Sequence, residues 1–368
     1  MSALGAALLG RIAESGPISV EDFMGACLAD PAHGYYAGTR AAARIGGAGD
    51  FITAPEISQV FGELLGLWAA ETWRLLGAPP AIRLVELGPG RGTLMADALR
   101  AIGAVAPAFR TALRVHLVEI SPLLREAQRA ALSGAEPTWH DTLDQVPRGP
   151  LIVLANEFFD ALPVRQLVRR GGAWRERTVT VDDGRLVFAI GAVVADPPVE
   201  PAHASAAEGA IVEICPAGRA IAAALGRRIA RDGGAALIVD YGTAESAPGD
   251  SLQAVSRHST VDALAAPGEA DLTAHVDFAA LSRAASAAGA VAYGPLPQGT
   301  LLTRLGIVAR TAALAARVRD MQRRLLTTGT QRLIDPAHMG TLFKTLALIA
   351  PGVGAPPGFE DPAEGPSR

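Results

Sequence analysis

Three short stretches of this chain carry residue types and spacings that could do chemistry. The first is Val85-Glu86-Leu87-Gly88-Pro89-Gly90-Arg91-Gly92-Thr93. An apolar run meets a Gly-x-Gly-x-Gly turn, with an acid two residues before the first glycine. Gly88 permits a sharp turn, and Gly90 lets a ligand lie against the backbone. If a helix opens at Thr93, its exposed N–H groups favour a carboxylate or phosphate. The spacing is not Gly-x-Gly-x-x-Gly, so the dinucleotide fingerprint fits poorly. A tight strand-to-helix turn that binds nothing is the bland alternative.

The second stretch is the end of Arg114-Val115-His116-Leu117-Val118-Glu119, 29 residues beyond Gly90. An acid there can accept hydrogen bonds from both ribose hydroxyls of an adenosine ligand. Glu119 could equally be an acid at a helix start, since Ser121-Pro122 follows. Together with Glu86 and the glycines it suggests S-adenosylmethionine rather than a nicotinamide dinucleotide. Asp141, after a third short strand, is a candidate for the adenine amine or an ordinary helix cap.

The third stretch is Ala155-Asn156-Glu157-Phe158-Phe159-Asp160-Ala161-Leu162-Pro163. Two carboxylates and two aromatics crowded at a strand end would suit a cationic, planar acceptor. Glu157 and Asp160 could hold a guanidinium by charge-assisted hydrogen bonds. Phe158 or Phe159 could wall the pocket and add a cation–π contribution. The alternative has Glu157 and Asp160 capping the following turn and pairing with Arg165.

The elements that must position these residues follow a β-α-β-α-β order. We expect strands at 84–88, 114–119 and 150–155, and helices near 92–103 and 121–132. Strands apolar on both faces indicate a parallel sheet flanked by helices. Upstream, residues 1–30 read as helix and 31–54 as a Gly-rich loop containing Gly46–Gly49, Asp50 and Phe51. Thr53 and Glu56 form a capping box for a helix running from there to Gly77. We expect Asp50–Gln59 to act as a lid over the cofactor.

From 163 to about 214 three antiparallel strands are expected, with Asp182-Asp183-Gly184 as a hairpin turn. A helix near 216–231 leads to strand 234–240. Residues 243–273 read as loop, 276–288 as helix, 290–293 and 300–308 as strands, and 309–327 and 336–349 as helices. Residues 351–368, with five prolines and four glycines, are expected to be disordered. The implied domains are a helical cover and lid (1–80), a first core part (81–162), an antiparallel insertion (163–215), a second core part (216–310), C-terminal helices (311–350) and a tail.

Composition narrows the function. The 33 basic and 37 acidic residues leave a net charge of −4, which argues against a general nucleic-acid binder. Two cysteines cannot build a disulfide framework, and the seven histidines show no paired metal-ligand spacing. Apolar runs are strand-length, so no membrane insertion and no metal are expected. The start of the chain lacks a signal core or an Arg-rich presequence, which leaves a reducing cytoplasm as the default.

Several stretches together resemble the MidA-like class I methyltransferases. They are Asp30-Pro31-Ala32-His33-Gly34-Tyr35-Tyr36, Gly49-Asp50-Phe51-Ile52-Thr53-Ala54-Pro55-Glu56-Ile57-Ser58-Gln59, the glycine turn, and the Asn156–Pro163 stretch. Val239-Asp240-Tyr241-Gly242, Asp271-Leu272-Thr273-Ala274-His275-Val276-Asp277-Phe278 and Gln298-Gly299 complete them. The resemblance implies an α/β, Rossmann-like class I methyltransferase sheet with an antiparallel insertion and an N-terminal helical cover. It implies S-adenosyl-L-methionine as cofactor and an arginine of a protein as acceptor. Mitochondrial members are complex I assembly factors that symmetrically dimethylate an arginine of a core subunit; against them, the lack of a presequence leads us to expect a bacterial cytoplasmic member.

On this reading Glu86, Gly88, Gly90, Gly92, Thr93, Glu119, Asp141 and Asn156 hold the cofactor. Glu157 and Asp160 orient the acceptor and take its proton. Asp50, Phe51, Thr53, Phe158 and Phe159 form the lid and acceptor walls. The competing readings are a cofactor-binding assembly chaperone without methyl transfer and a nicotinamide-dependent oxidoreductase.

Overall fold

The computed structural model describes residues 2–36, 50, 52–200 and 203–359. The chain divides into two compact units, each assembled from separate stretches. One comprises residues 52–159, 220–244 and 278–368; the other comprises 1–51, 160–219 and 245–277.

The first unit is built on an open sheet. Its strands are β1 (Ile82–Leu87), β2 (Leu113–Val118), β3 (Thr138–His140), β4 (Leu151–Asn156), β5 (Gly234–Thr243), β6 (Val291–Pro297) and β7 (Phe343–Ile349). They lie in the order β3-β2-β1-β4-β5-β7-β6. β1 to β5 are mutually parallel, whereas β7 runs antiparallel to both its neighbours. β4 is buried along its whole length, as expected of a parallel strand covered on both faces. This is the doubly wound, Rossmann-like sheet that the resemblance implied.

Register matters most for function. Leu87 stands opposite Val118 on one side and Ala155 on the other, Val118 opposite His140, and Asn156 opposite Val239. The carboxyl ends of β1 to β4 therefore finish abreast, whereas β5 runs on to Thr243. Gly88, Glu119, Asp141 and Glu157 leave the sheet along one edge, alongside Asp240 within β5, and open α/β sheets bind ligands at that edge.

Helices α1 (Ala54–Ile57), α2 (Gln59–Leu75), α3 (Thr93–Val105) and α4 (Pro122–Ala131) belong to this unit. Trp68, Phe61, Leu65 and Met95 pack with Leu84, Ile152 and Leu237 in its apolar core. The helix expected from Thr53 to Gly77 is broken at Ser58, which is extended (φ −155°). Ser58 then caps α2 through its side chain, accepting from the Val60 N–H at 3.3 Å.

The second unit holds helices Ala3–Ser15 and Val20–Ala29 in place of the single expected N-terminal helix. Gly16 (φ +83°) ends the first helix, and the Ser19 side chain opens the second. The antiparallel insertion is present as Arg165–Arg170, Ala173–Asp182 and Arg185–Val193, extended by Ile211–Ile214 and Ile18–Ser19. Asp183 (φ +45°) and Gly184 (φ +70°) make its hairpin turn, the two left-handed residues such a turn requires.

Five further expectations are corrected, the first being the 336–349 helix, which is a short helix, Met339–Leu342, followed by the strand Phe343–Ile349. The 300–308 segment is helical, within Gln298–Arg304 and Ile307–Ala315, and the sheet is finished by Phe343–Ile349. The last four residues of that strand, Leu346–Ile349, are all buried and apolar, and an apolar run without alternation does not reveal its own period. The 309–327 helix is two helices, ending at Ala315 and restarting at Asp320. Residues 243–273 contain a three-stranded sheet of Gln253–Ser256, Ser259–Val261 and Asp271–Thr273. Residues 351–359 are packed, with Phe359 buried in the core; 360–368 lie outside the described residues.

Candidate active site

The glycine turn has the backbone that its composition suggested. Gly88, Gly90 and Gly92 all adopt left-handed φ values of +61°, +53° and +84°, open to glycine without steric cost. A side chain at Gly88 would meet the ring of Phe158 at 2.7 Å. Gly92 opens α3, whose first residue, Thr93, donates from Oγ1 to Glu56 Oε1 at 2.6 Å. Glu56 therefore ties α1 to the glycine turn and does not complete a capping box.

Glu86 is buried near the end of β1, and its Oε2 makes no hydrogen bond. Burial, aided by Glu119, pushes its carboxyl up to about 8, against the pull of the Met95 N–H. Glu119 directly follows β2. Its Oε1 accepts the Ser121 N–H at 2.8 Å and its Oε2 the Gln128 amide at 3.1 Å. Burial raises its carboxyl as well.

Gln128, on α4, went unnoticed in the sequence. Its Nε2 also donates to the Gly90 carbonyl at 2.7 Å, and its Oε1 accepts from Trp139 Nε1 at 2.8 Å. One fully buried amide thus joins the glycine turn to the ribose candidate. Nothing in the local pattern marked it beyond a polar residue on the inner face of a helix. Asp141 follows β3, is largely exposed and pairs with Arg125 at 2.6 Å.

At the end of β4, Asn156 is buried. Its Nδ2 donates to Glu157 Oε1 at 3.1 Å, while its Oδ1 has no partner. Glu157 adopts φ +50°, uncommon for a residue with a side chain and characteristic of functional sites. Its N–H donates to the Val239 carbonyl at 2.9 Å. Its Oε1 also accepts the Ala54 N–H at 2.8 Å, so Glu157 caps α1, where the Thr53 side chain makes no capping bond.

Asp240, buried on β5, accepts the Phe158 and Phe159 N–H groups at 3.1 and 3.0 Å. It fixes the turn, a role the Val-Asp-Tyr-Gly stretch did not announce. The two rings meet edge to face at 5.3 Å. Phe159 is buried, whereas Phe158 keeps some exposure.

The alternative pairing with Arg165 is absent, because Arg165 is engaged by Glu176 at 2.6 Å. Asp160 belongs to the other unit. There its carbonyl accepts the Ala274 N–H at 3.0 Å. Burial, and then Asp271 and Asp160, holds the Tyr36 hydroxyl well above its usual range. Asp50 accepts from the Tyr35 hydroxyl at 2.9 Å and from the Arg257 N–H at 2.8 Å. Phe51 and Gly46–Gly49 lie outside the described residues. Among the described residues no cluster of His, Cys, Asp or Glu could hold a metal ion.

Residues 64–296 match the model of an S-adenosyl-L-methionine-dependent methyltransferase family. The chain belongs to this family. It is similar to mouse protein arginine methyltransferase NDUFAF7, mitochondrial, at 39% identity over 93% of this chain and 83% of that one. The human protein of the same name is 38% identical over 93% and 82%. A Burkholderia thailandensis protein solved with S-adenosyl-homocysteine superposes with a TM-score of 0.82 and 30% identity, covering 97% and 94%.

The residues of this methyltransferase fit the family's cofactor. Glu86 Oε2 and Asn156 Oδ1 are buried acceptors without partners on adjacent strands. Such atoms cost about 1–3 kcal/mol each unless a donor arrives. The amine and hydroxyl groups of S-adenosylmethionine are donors of that kind.

Proposed function

We propose that the protein transfers methyl groups from S-adenosylmethionine to a guanidinium nitrogen of a protein arginine. Following the resemblance, we propose symmetric dimethylation of a respiratory complex I core subunit in the cytoplasm. The observation that carries the reading is Glu157: a carboxylate at a strained position, at the same sheet edge as the glycine turn and Glu119. The names of its relatives support the same acceptor chemistry.

The cofactor supplies an electrophilic methyl carbon on its sulfonium. The chain must hold it, orient the acceptor and receive a proton. The Gly88–Gly92 turn and Glu86 hold the methionine end. Glu119 accepts the ribose hydroxyls, positioned by Gln128, with Asn156 and Asp141 as further polar contacts. A guanidinium is protonated at neutral pH, so its nitrogen is a poor nucleophile. A carboxylate fixed by two N–H donors has little freedom to reorient. Glu157 is therefore suited to turning a guanidinium into line, and Asp160 is the proposed proton acceptor.

One observation favours a second reading, a cofactor-binding assembly chaperone. Glu157 already serves as the cap of α1, as a purely structural residue would. Glu157→Gln and Asp160→Asn separate the two. On the enzyme reading, both variants bind S-adenosylhomocysteine in calorimetry, yet mass spectrometry finds the arginine unmethylated. If both variants still restore respiratory assembly in a deletion strain, methyl transfer is not the function.

A further inference from the structure

Helix Asp320–Ile334 buries Gly329, Thr330 and Leu333, with Leu326 half-buried beside them. At 100° per residue Met321, Arg324, Leu325, Thr328 and Arg332 fall on one exposed stripe along the flank of the helix, with Leu325 on the edge nearest Gly329. Met321 is 72% exposed and Leu325 65%, two flexible aliphatic side chains one turn apart. The surrounding charge is one-sided. From Arg317 to Ile334 there are five arginines (317, 319, 323, 324 and 332) against Asp320 alone, a net of 5 − 1 = +4 in a chain whose total is −4. Arg323 lies 3.5 Å from Asp320, so that acid is spent locally.

We propose that this face docks the protein on an anionic lipid bilayer. Met321 and Leu325 seat at the boundary between headgroups and acyl chains. Arg324 and Arg332 lay their stems along the apolar surface and reach the phosphates. Among the described residues no helix is long and apolar enough to cross a membrane, so the attachment is peripheral and reversible. A second copy of the chain fits poorly, because a two-fold pairing would set the basic face against itself. A protein partner fits poorly as well. The face offers no Trp, Tyr or Phe, the residues that anchor protein interfaces. The rest of the chain carries a net charge of −4 − 4 = −8.

The test uses the full chain and sedimentation with phosphatidylcholine vesicles, with and without phosphatidylglycerol. We expect co-sedimentation only with the anionic vesicles, weakening as salt rises. An arginine near such a surface contributes about 1 kcal/mol, roughly fivefold in partitioning. Arg324→Glu with Arg332→Glu should therefore lower the partition coefficient by more than about tenfold. Met321→Ser with Leu325→Ser should lower it too, with no loss of thermal stability, because both side chains are exposed.

Equal binding to both vesicle types, or variants that bind like the parent, would overturn the proposal. A change in sedimentation-velocity mass of the serine variant without lipid would make the face an interface between copies. Capture of poly-glutamate without vesicle binding would make it a protein-docking surface.

Discussion

Lowering the pH from 7 to 5.5 should weaken binding of S-adenosylhomocysteine, and Glu86→Gln should remove most of that dependence. In the ligand-free protein burial pushes Glu86 up to about 8. At pH 7 about nine in ten molecules then carry the proton. The proposed partner of Glu86 is the ammonium of the methionine end, which favours the carboxylate. Binding must therefore expel the proton. Below pH 8 affinity rises with pH by up to about tenfold per unit, about 1.36 kcal/mol. Over the 1.5 units from pH 7 to 5.5 the loss reaches at most about thirtyfold. Calorimetry in buffers of different ionisation enthalpy should show nearly one proton released at pH 7. The same shift acts on the empty fold. Folded Glu86 keeps a proton that the unfolded chain loses above about pH 4.5, so stability falls as pH rises from there to about 8. Flat affinity, no proton release, or an unchanged slope in the glutamine variant would refute the placement of the ammonium.

Two further predictions concern groups outside the carboxylates. Gln128→Leu leaves the Gly90 carbonyl and Glu119 Oε2 without their amide donor. At about 1–3 kcal/mol for each buried group, calorimetry should show cofactor affinity falling about tenfold or more, with a lower melting temperature. His116 Nδ1 lies 3.0 Å from His140 Nε2. Burial, then His140, Arg83 and Arg228, lowers the His116 pKa to about 4. The folded state thus resists a proton that the unfolded chain accepts below about 6.5. Its contribution is complete above that pH and is lost towards pH 4, at most about 3 kcal/mol. His116→Gln should flatten acid unfolding over that window, as followed by circular dichroism.

The sequence revealed the sheet where local rules agreed. The strand before Gly88, the helix after it and the next two strand–helix units carry apolar runs punctuated by glycine or proline. It failed where a segment is buried on every side. Phe343–Ile349 reads as helix or strand alike, and only its pairing with β5 and β6 decides. The site was legible in a similar way. Glycines and terminal acids advertise themselves by position. Gln128 and Asp240 act across 38 and 81 residues of sequence, and no local pattern encodes such contacts.

Glu157 shows how a long-range contact can reconcile two readings of one residue. The residues alone left it as either a turn cap or an acceptor carboxylate. In the fold it is a cap, but of α1, which lies 103 residues earlier, and not of the turn that follows it. That difference has consequences. A cap on its own turn would need only a local acid, and ordinary backbone angles would serve. Glu157 instead holds φ +50°, a conformation that costs of order 1 kcal/mol or more for a residue with a side chain. Its N–H is pinned to β5 and its carboxylate to α1 and Asn156. The surrounding structure therefore determines where the charge points. A glutamine there keeps the acceptor oxygen for Ala54 and Asn156 while losing the charge. The clamp and the acceptor role thus come apart in a single substitution.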